Sequence, residues 1–290
     1  MQFQNLPGNI RGIVFALAAA AMFTIVSALV KFIAKDYHVT QILLFRQAVM
    51  LVFVLPVLVR NFPQSLKTKR PGLHLLRLTG ALAALTLGFT AIANLPLATA
   101  ISFSFTKSLF VTIFAALLLG EIIGWRRAMA VLVGFGGMLI ILRPDTGSAV
   151  SFYGLIAIAA AIGAATAVTC VRALTSSEST ATLLSYQAIF VGLMVAIPAY
   201  FFWTTPDLTG LLVLLAIGTV SVIAQWLGVQ SYRAGEVSVV TGMEYTKLLY
   251  ASLIGIVIFS EWPDSNTLIG ATIIIGAAAF TVWRENKLAK

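Results

Sequence analysis

Ten runs of apolar residues follow one another along this chain, at roughly 12–34, 41–59, 74–93, 98–118, 127–142, 153–172, 182–203, 210–232, 237–259 and 267–283. Most are near the roughly 17–25 residues a helix needs to cross the hydrocarbon of a bilayer. The polar links between them are short. Asn94-Leu95-Pro96-Leu97 joins the third run to the fourth and Arg233-Ala234-Gly235-Glu236 the eighth to the ninth, so those helices must be antiparallel neighbours. The pattern predicts an all-α membrane protein of ten transmembrane helices.

The pattern also repeats. Phe105-Thr106-Lys107-Ser108-Leu109-Phe110 in the fourth run matches Tyr245-Thr246-Lys247-Leu248-Leu249-Tyr250 in the ninth, 140 positions later. The same register aligns Leu43-Leu44-Phe45-Arg46-Gln47-Ala48 with Leu183-Leu184-Ser185-Tyr186-Gln187-Ala188, Gly88 with Gly228 and Glu121 with Glu261; the first helices need a slip of two, Gly12 pairing with Gly154. The chain thus divides into a five-helix repeat over 1–147 and a second over 148–290. Five is odd, so the copies insert with opposite orientation. Inverted repeats of this kind place a pseudo-two-fold axis in the membrane plane and a binding site at the midplane, opened alternately to each side. The competing reading is an old duplication whose mechanism has not survived.

Composition agrees with a membrane protein. Of 290 residues, 60% are hydrophobic and 10% charged, against about a quarter charged in an ordinary soluble domain, which leaves almost nothing for a soluble domain. The first run is too long for a signal-peptide core and leads into Lys31 and Lys35, not into a small-residue cleavage site, so it reads as a retained helix. The net charge of +9 is explained by placement. With the N-terminus inside, thirteen Lys and Arg fall in cytoplasmic segments, Arg77, Arg172 and Arg233 among them, against Lys31, Lys35 and Arg143 outside. The positive-inside bias sets both termini in the cytoplasm and leaves nucleic acid without a role. Three cations remain within runs: Arg46, Lys107 and Lys247.

Other chemistry is sparse. The lone Cys170 excludes an internal disulfide or a CxxC site, His38 and His74 read as interfacial, and no metal site or cofactor is indicated. No GxxxxGK[ST] loop is present, so transport would be ion-coupled or run down a gradient. An intramembrane enzyme would need HExxH, GxSxG or paired acids, which are missing. A channel would more naturally be an oligomer around an axis normal to the membrane.

Two five-helix halves, each with a fourth helix that opens on a small-polar turn (Leu97-Ala98-Thr99-Ala100-Ile101-Ser102-Phe103), ends at Leu119-Gly120-Glu121 and precedes a Gly-rich fifth helix (Gly134, Gly136, Gly137), resemble the drug/metabolite transporter superfamily, specifically its ten-helix EamA-type exporters. The resemblance covers nearly the whole chain. It implies export of amino acids, aromatic ones in some branches, or other small metabolites across the bacterial inner membrane. Many relatives carry a proline in the middle of the fourth and ninth helices. Here Lys107-Ser108 and Lys247-Leu248 stand instead, which removes the kink and adds two cations.

The candidate site follows from helical geometry. Lys107 lies nine residues into its run and Lys247 ten, each about 14 Å deep at 1.5 Å per residue. An ammonium at that depth is expensive unless it meets a wet cavity, a partner or a ligand. Lys107 shares a helix face with Phe103, and Lys247 lies one turn from Glu244, the only carboxylate deep in any run. In one reading Lys107 and Lys247 meet a substrate carboxylate, Glu244 meets its ammonium or accepts a coupling proton, and aromatic side chains such as Tyr245 line the rest. That arrangement fits a zwitterionic or anionic small molecule, an amino acid first and a phosphorylated metabolite or an organic cation as alternatives. In the other, Lys247 and Glu244 form a structural pair and Lys107 binds helix ends. Arg46, Gln47, Tyr186, Gln187 and Trp226 are further candidates for substrate contact. The amides serve equally as helix glue, and Arg46 could snorkel outward. Glu121 and Glu261, at the ends of the fourth and ninth runs, are matched gating candidates or interfacial carboxylates paired with neighbours.

Overall fold

A computed structural model describes residues 8–60, 62, 68, 70–119, 125–143, 149–174, 178, 180–235, 240 and 242–288. Among these no strand occurs. The helices are α1 (Gly8–Ile33), α2 (Val39–Arg60), α3 (Pro71–Asn94), α4 (Leu97–Ser104), α5 (Lys107–Leu119), α6 (Trp125–Leu142), α7 (Ala149–Leu174), α8 (Thr180–Tyr186), which continues through a π-helical segment, Gln187–Val191, into α9 (Gly192–Phe201), then α10 (Leu208–Ala234), α11 (Thr246–Phe259) and α12 (Ser265–Leu288). Six helical stretches are long and apolar enough to span a membrane: Ile10–Ile33, Val39–Pro56, Pro71–Asn94, Leu97–Leu117, Phe152–Leu174 and Leu208–Ala234. Four shorter apolar helices, Ala128–Leu142, Gln187–Phe201, Thr246–Phe259 and Ser265–Phe280, accompany them.

Local chemistry sets the ends. Pro71 opens α3, where its missing N–H costs nothing. The Asp207 carboxylate caps α10 by accepting from the Gly210 N–H at 2.8 Å. Ser260 adopts a left-handed conformation (φ 56°) that ends α11 and turns the chain into Glu261.

The expected loss of the kink in the fourth and ninth helices is corrected. The fourth is interrupted at Phe105-Thr106 and the ninth at Glu244-Tyr245, one residue out of register with each other, without proline. Hydroxyls supply the reason. Ser104 donates to Ile101 O at 2.6 Å, Thr106 to Phe103 O at 2.7 Å, Ser108 to Phe105 O at 2.8 Å and Thr246 to Met243 O at 2.6 Å. These bonds to carbonyls three residues back compete with the regular ladder. The backbone tightens with them, Leu109 N–H reaching Thr106 O and Leu248 N–H reaching Tyr245 O.

The bundle packs in pairs: α3 on α7, α1 on α10, α6 on α12, and α2 on the α8–α9 stretch. Small residues let backbones meet. A Cβ on Gly80 would stand 2.8 Å from the Gly163 carbonyl oxygen, and one on Gly163 would stand 2.8 Å from that of Gly80. Gly163→Val should force α3 and α7 apart and cost about 1–3 kcal/mol, as overpacking does. A lowered thermal transition in detergent checks this, and an unchanged transition would contradict the contact. On the outside, apolar side chains such as Val257 (79% exposed), Ile197 (68%) and Val52 (66%) present the surface that lipid covers.

Candidate functional site

A cavity of about 720 Å³ lies inside the bundle. On α7 its lining runs from Ala157 to Arg172, and α10 adds Tyr232 near its C-terminal end; on α1 it stops at Ser27, one turn before Lys31. It therefore leads toward the C-terminal ends of α7 and α10.

Five expected residues share this cavity: Lys107, Lys247, Glu244, Tyr245 and Arg46. The tightened turns explain the first four, because each lysine stands within the first two residues of a helix that restarts beside the cavity. Glu244 is the centre of the cluster. Its carboxylate accepts from the Lys247 ammonium at 3.4 Å and from the Tyr232 hydroxyl at 3.0 Å. The Lys247 ammonium also sits 5.1 Å from the centre of the Phe23 ring. Tyr245 meets Phe105 edge to face at 5.3 Å. Lys107 is close enough to feel the charges of Glu244 and Lys247, yet it makes no hydrogen bond or ion pair among the described residues.

Arg46 enters from α2, inward rather than snorkelling out. It is 8% exposed and donates to Ser221 Oγ at 3.2 Å and to Gln47 Oε1 at 2.8 Å. Behind it, Gln47 donates to the Gln187 carbonyl at 3.1 Å, and the Gln187 side chain accepts from Arg77 at 3.1 Å. The repeat-related glutamines thus meet where α2 crosses the π-helical segment, outside the cavity lining.

Three expected contacts lie elsewhere. Phe103 is fully buried among Leu97, Ile141 and Leu142 and packs on Gly154. The turn at Phe105-Thr106 rotates it away from Lys107, which an unbroken helix would have kept on the same face, and Phe105 lines the cavity instead. Trp226 is 55% exposed on the bundle's exterior, against Phe15. Tyr186 packs against His74 with the rings tilted by 36° and their centres 4.3 Å apart.

Two cation placements are corrected as well. His74 is not interfacial but 1% exposed, its ring 4.0 Å from the Glu178 carboxylate. Arg77 is not a loop cation but 2% exposed, donating to Leu183 O at 2.9 Å. Both sit a turn or two into α3, where α7 and α8 cover them.

Glu261 lies at the closed end. Its carboxylate pairs with Lys31 at 2.6 Å and accepts from the Leu97 N–H at 2.9 Å, satisfying the first donor of α4. Lys31 also donates to the Leu95 carbonyl and lies 5.5 Å from the Phe259 ring centre. Arg143 and Asp264 pair nearby. Glu121 falls outside the described residues. Sequence reasoning missed Lys31, Phe23, Ser221 and Tyr232, whose roles depend on partners far away in the chain.

The profile of the EamA-like transporter family matches residues 10–143 and again 151–283. The chain is 31% identical to an S-adenosylmethionine uptake transporter of Rickettsia bellii, over 89% of this chain and 88% of that one. It is 30% identical to a riboflavin transporter of Vibrio cholerae, over 96% and 95%, and 30% identical to the pseudopaline exporter CntI of Pseudomonas aeruginosa, over 92% and 94%. A solved crystal structure at 16% identity superposes with a TM-score of 0.63 over 98% of this chain and 99% of its own, which establishes the shared fold. These relatives are not specifically amino-acid exporters, so the resemblance narrows to the family. With the profile matched twice and relatives aligned along nearly their full length, this multi-pass membrane protein belongs to the EamA-like transporter family.

Proposed function

We propose that this protein is a secondary transporter of the bacterial inner membrane that exports amino acids or related small amphipathic metabolites by alternating access. The observation that carries the reading is the meeting of Lys107, Lys247, Glu244 and Arg46 in one cavity inside the bundle. Charges buried this way in a membrane protein mark a substrate path. In this reading ten transmembrane helices form two inverted five-helix repeats, 1–147 and 148–290, with both termini cytoplasmic. The double match of the family profile supports it. So does the packing, because the 140-residue register exchanges the α3–α7 pair with the α10–α1 pair and maps the α2–α8/α9 and α6–α12 pairs onto themselves.

With the N-terminus inside, the cavity opens to the cytoplasm and Glu261 closes the outer side, Glu121 being its counterpart at the inner surface. Substrate contact is assigned to Lys107, Lys247, Glu244, Tyr245 and Arg46, with Gln47 and Gln187 holding Arg46 in place. The test is substrate movement by the purified protein in liposomes, which should saturate with concentration; linear flux would point to a channel. Cysteines placed at Gln64 and Asp207 should label from opposite faces, and labelling from one face would end the inverted-repeat reading.

Glu244 is also the proposed proton acceptor, since it can exchange Lys247 for a proton or for a substrate ammonium. Glu244→Gln is expected to abolish the stimulation of transport by an imposed pH gradient while substrate exchange persists. Stimulation equal to the parent's would remove this role.

A further inference from the structure

The cavity's charges are unbalanced in a way that the amino-acid reading does not use. Deep in its described lining, Arg46, Lys107 and Lys247 stand against a single carboxylate, Glu244. That carboxylate is already engaged by Lys247 and Tyr232. Lys107 stands beside the pair with no hydrogen bond or ion pair of its own among the described residues.

Arg46 is a second and separate positive point. Glu244, Lys247 and Lys107 stand where the fourth and ninth helices break and restart, whereas Arg46 reaches the cavity from α2, beside Ser221 of α10. Its bonds go to neutral acceptors, the Ser221 hydroxyl and the Gln47 amide. A guanidinium has five N–H donors, so these two bonds leave capacity for a planar anion. Its position is also fixed. The amide of Gln47 is anchored on the Gln187 carbonyl, which turns Oε1 toward the guanidinium. Apolar surface from Phe23, Leu85, Phe89 and Phe105 lines the same cavity.

We infer that the cavity holds two anion subsites, one at Lys107 beside Lys247 and one at Arg46 beside Ser221, and so selects amphipathic metabolites with two anionic groups over zwitterions with one carboxylate. This rests on the carrier reading above and narrows its substrate class. A site with two cations that lack ion-pair partners among the described residues disfavours a cationic solute and gains most from a ligand that neutralises both. Ser221 and Gln47 then act as positioning residues, because they hold the guanidinium in the fork geometry a carboxylate or phosphate accepts.

The test uses the full-length protein in lipid nanodiscs and four probes of similar size: 1,4-phenylenediacetate and benzylsuccinate, with two carboxylates at wide and narrow spacing, 4-methylphenylacetate with one, and phenylalanine as the zwitterion. At least one dianion should bind about tenfold more tightly than 4-methylphenylacetate, as expected for one added charge-assisted contact. Arg46→Gln should erase that advantage, so that neither dianion binds more tightly than 4-methylphenylacetate. Arg46→Lys, which keeps a cation and loses the fork, should retain part of it. Equal affinity of the parent for mono- and dianions overturns the inference, as does binding of none of the probes or an advantage that survives Arg46→Gln. Saturable transport of phenylalanine without dianion preference sinks the two subsites and spares the carrier. Dianion preference without saturable flux of any probe does the reverse.

Discussion

Lys107→Ala is expected to lower the initial rate of transport in liposomes at least about thirtyfold while the thermal transition of the purified protein stays near the parent's. The magnitude is that of removing one charged partner from a desolvated contact, about 2–5 kcal/mol, where 1.4 kcal/mol is a factor of ten. Stability is spared for a reason visible in the cavity. Lys107 makes no hydrogen bond or ion pair among the described residues, so its loss orphans no acid. It also removes a repulsive charge from beside Lys247. The contrast with Lys247→Ala sharpens the expectation. That change leaves the Glu244 carboxylate with Tyr232 as its one remaining side-chain hydrogen-bond partner among the described residues, so both stability and transport should fall. A Lys107→Ala protein that transports at the parental rate would displace the substrate from this end of the cavity.

What the sequence made legible was whatever lies along one helix or follows from the repeat. The apolar runs located the helices, and the 140-residue register singled out Lys107 and Lys247 before any contact was known. Glu244 was legible because its partner is three residues away. Contacts that depend on helix pairing were not. Arg77 and His74 stand near the start of a run and read as loop residues, yet α7 and α8 bury them. Nothing in the neighbouring sequence announces Gln187 or Glu178 as their partners. Phe103 was misplaced for a subtler reason. Serine and threonine hydroxyls, common in membrane helices, carry no obvious signal for a break, and the turn they form at Phe105-Thr106 changes which ring faces the cavity. A proline would have announced it.

With the N-terminus inside, as proposed, weakening the Lys31–Glu261 closure is expected to open the outer side of the cavity. The pair ties three segments that are remote in sequence: the end of α1, the α3–α4 turn and the link between α11 and α12. Glu261 accepts both the Lys31 ammonium and the Leu97 N–H, and Lys31 adds the Leu95 carbonyl. Any state that admits solute from that side must break this set together. Glu261→Gln keeps an oxygen for the Leu97 N–H and removes the charge, so it isolates the ion pair. With side chains 10% and 25% exposed, the pair lies between surface and buried limits, so about 1–2 kcal/mol of closure is at stake. A shift of 1.4 kcal/mol changes the open population about tenfold. A cysteine at Ser27, which lines the cavity one turn from Lys31, reports it, since the native Cys170 is buried and stays silent to a membrane-impermeant reagent. Labelling from outside should be about tenfold faster in Glu261→Gln than in the parent, and the exchange Lys31→Glu with Glu261→Lys should slow it again. Equal labelling rates in parent and Glu261→Gln would mean that the pair only caps α4, and the outer closure would have to be sought at the Arg143–Asp264 contact.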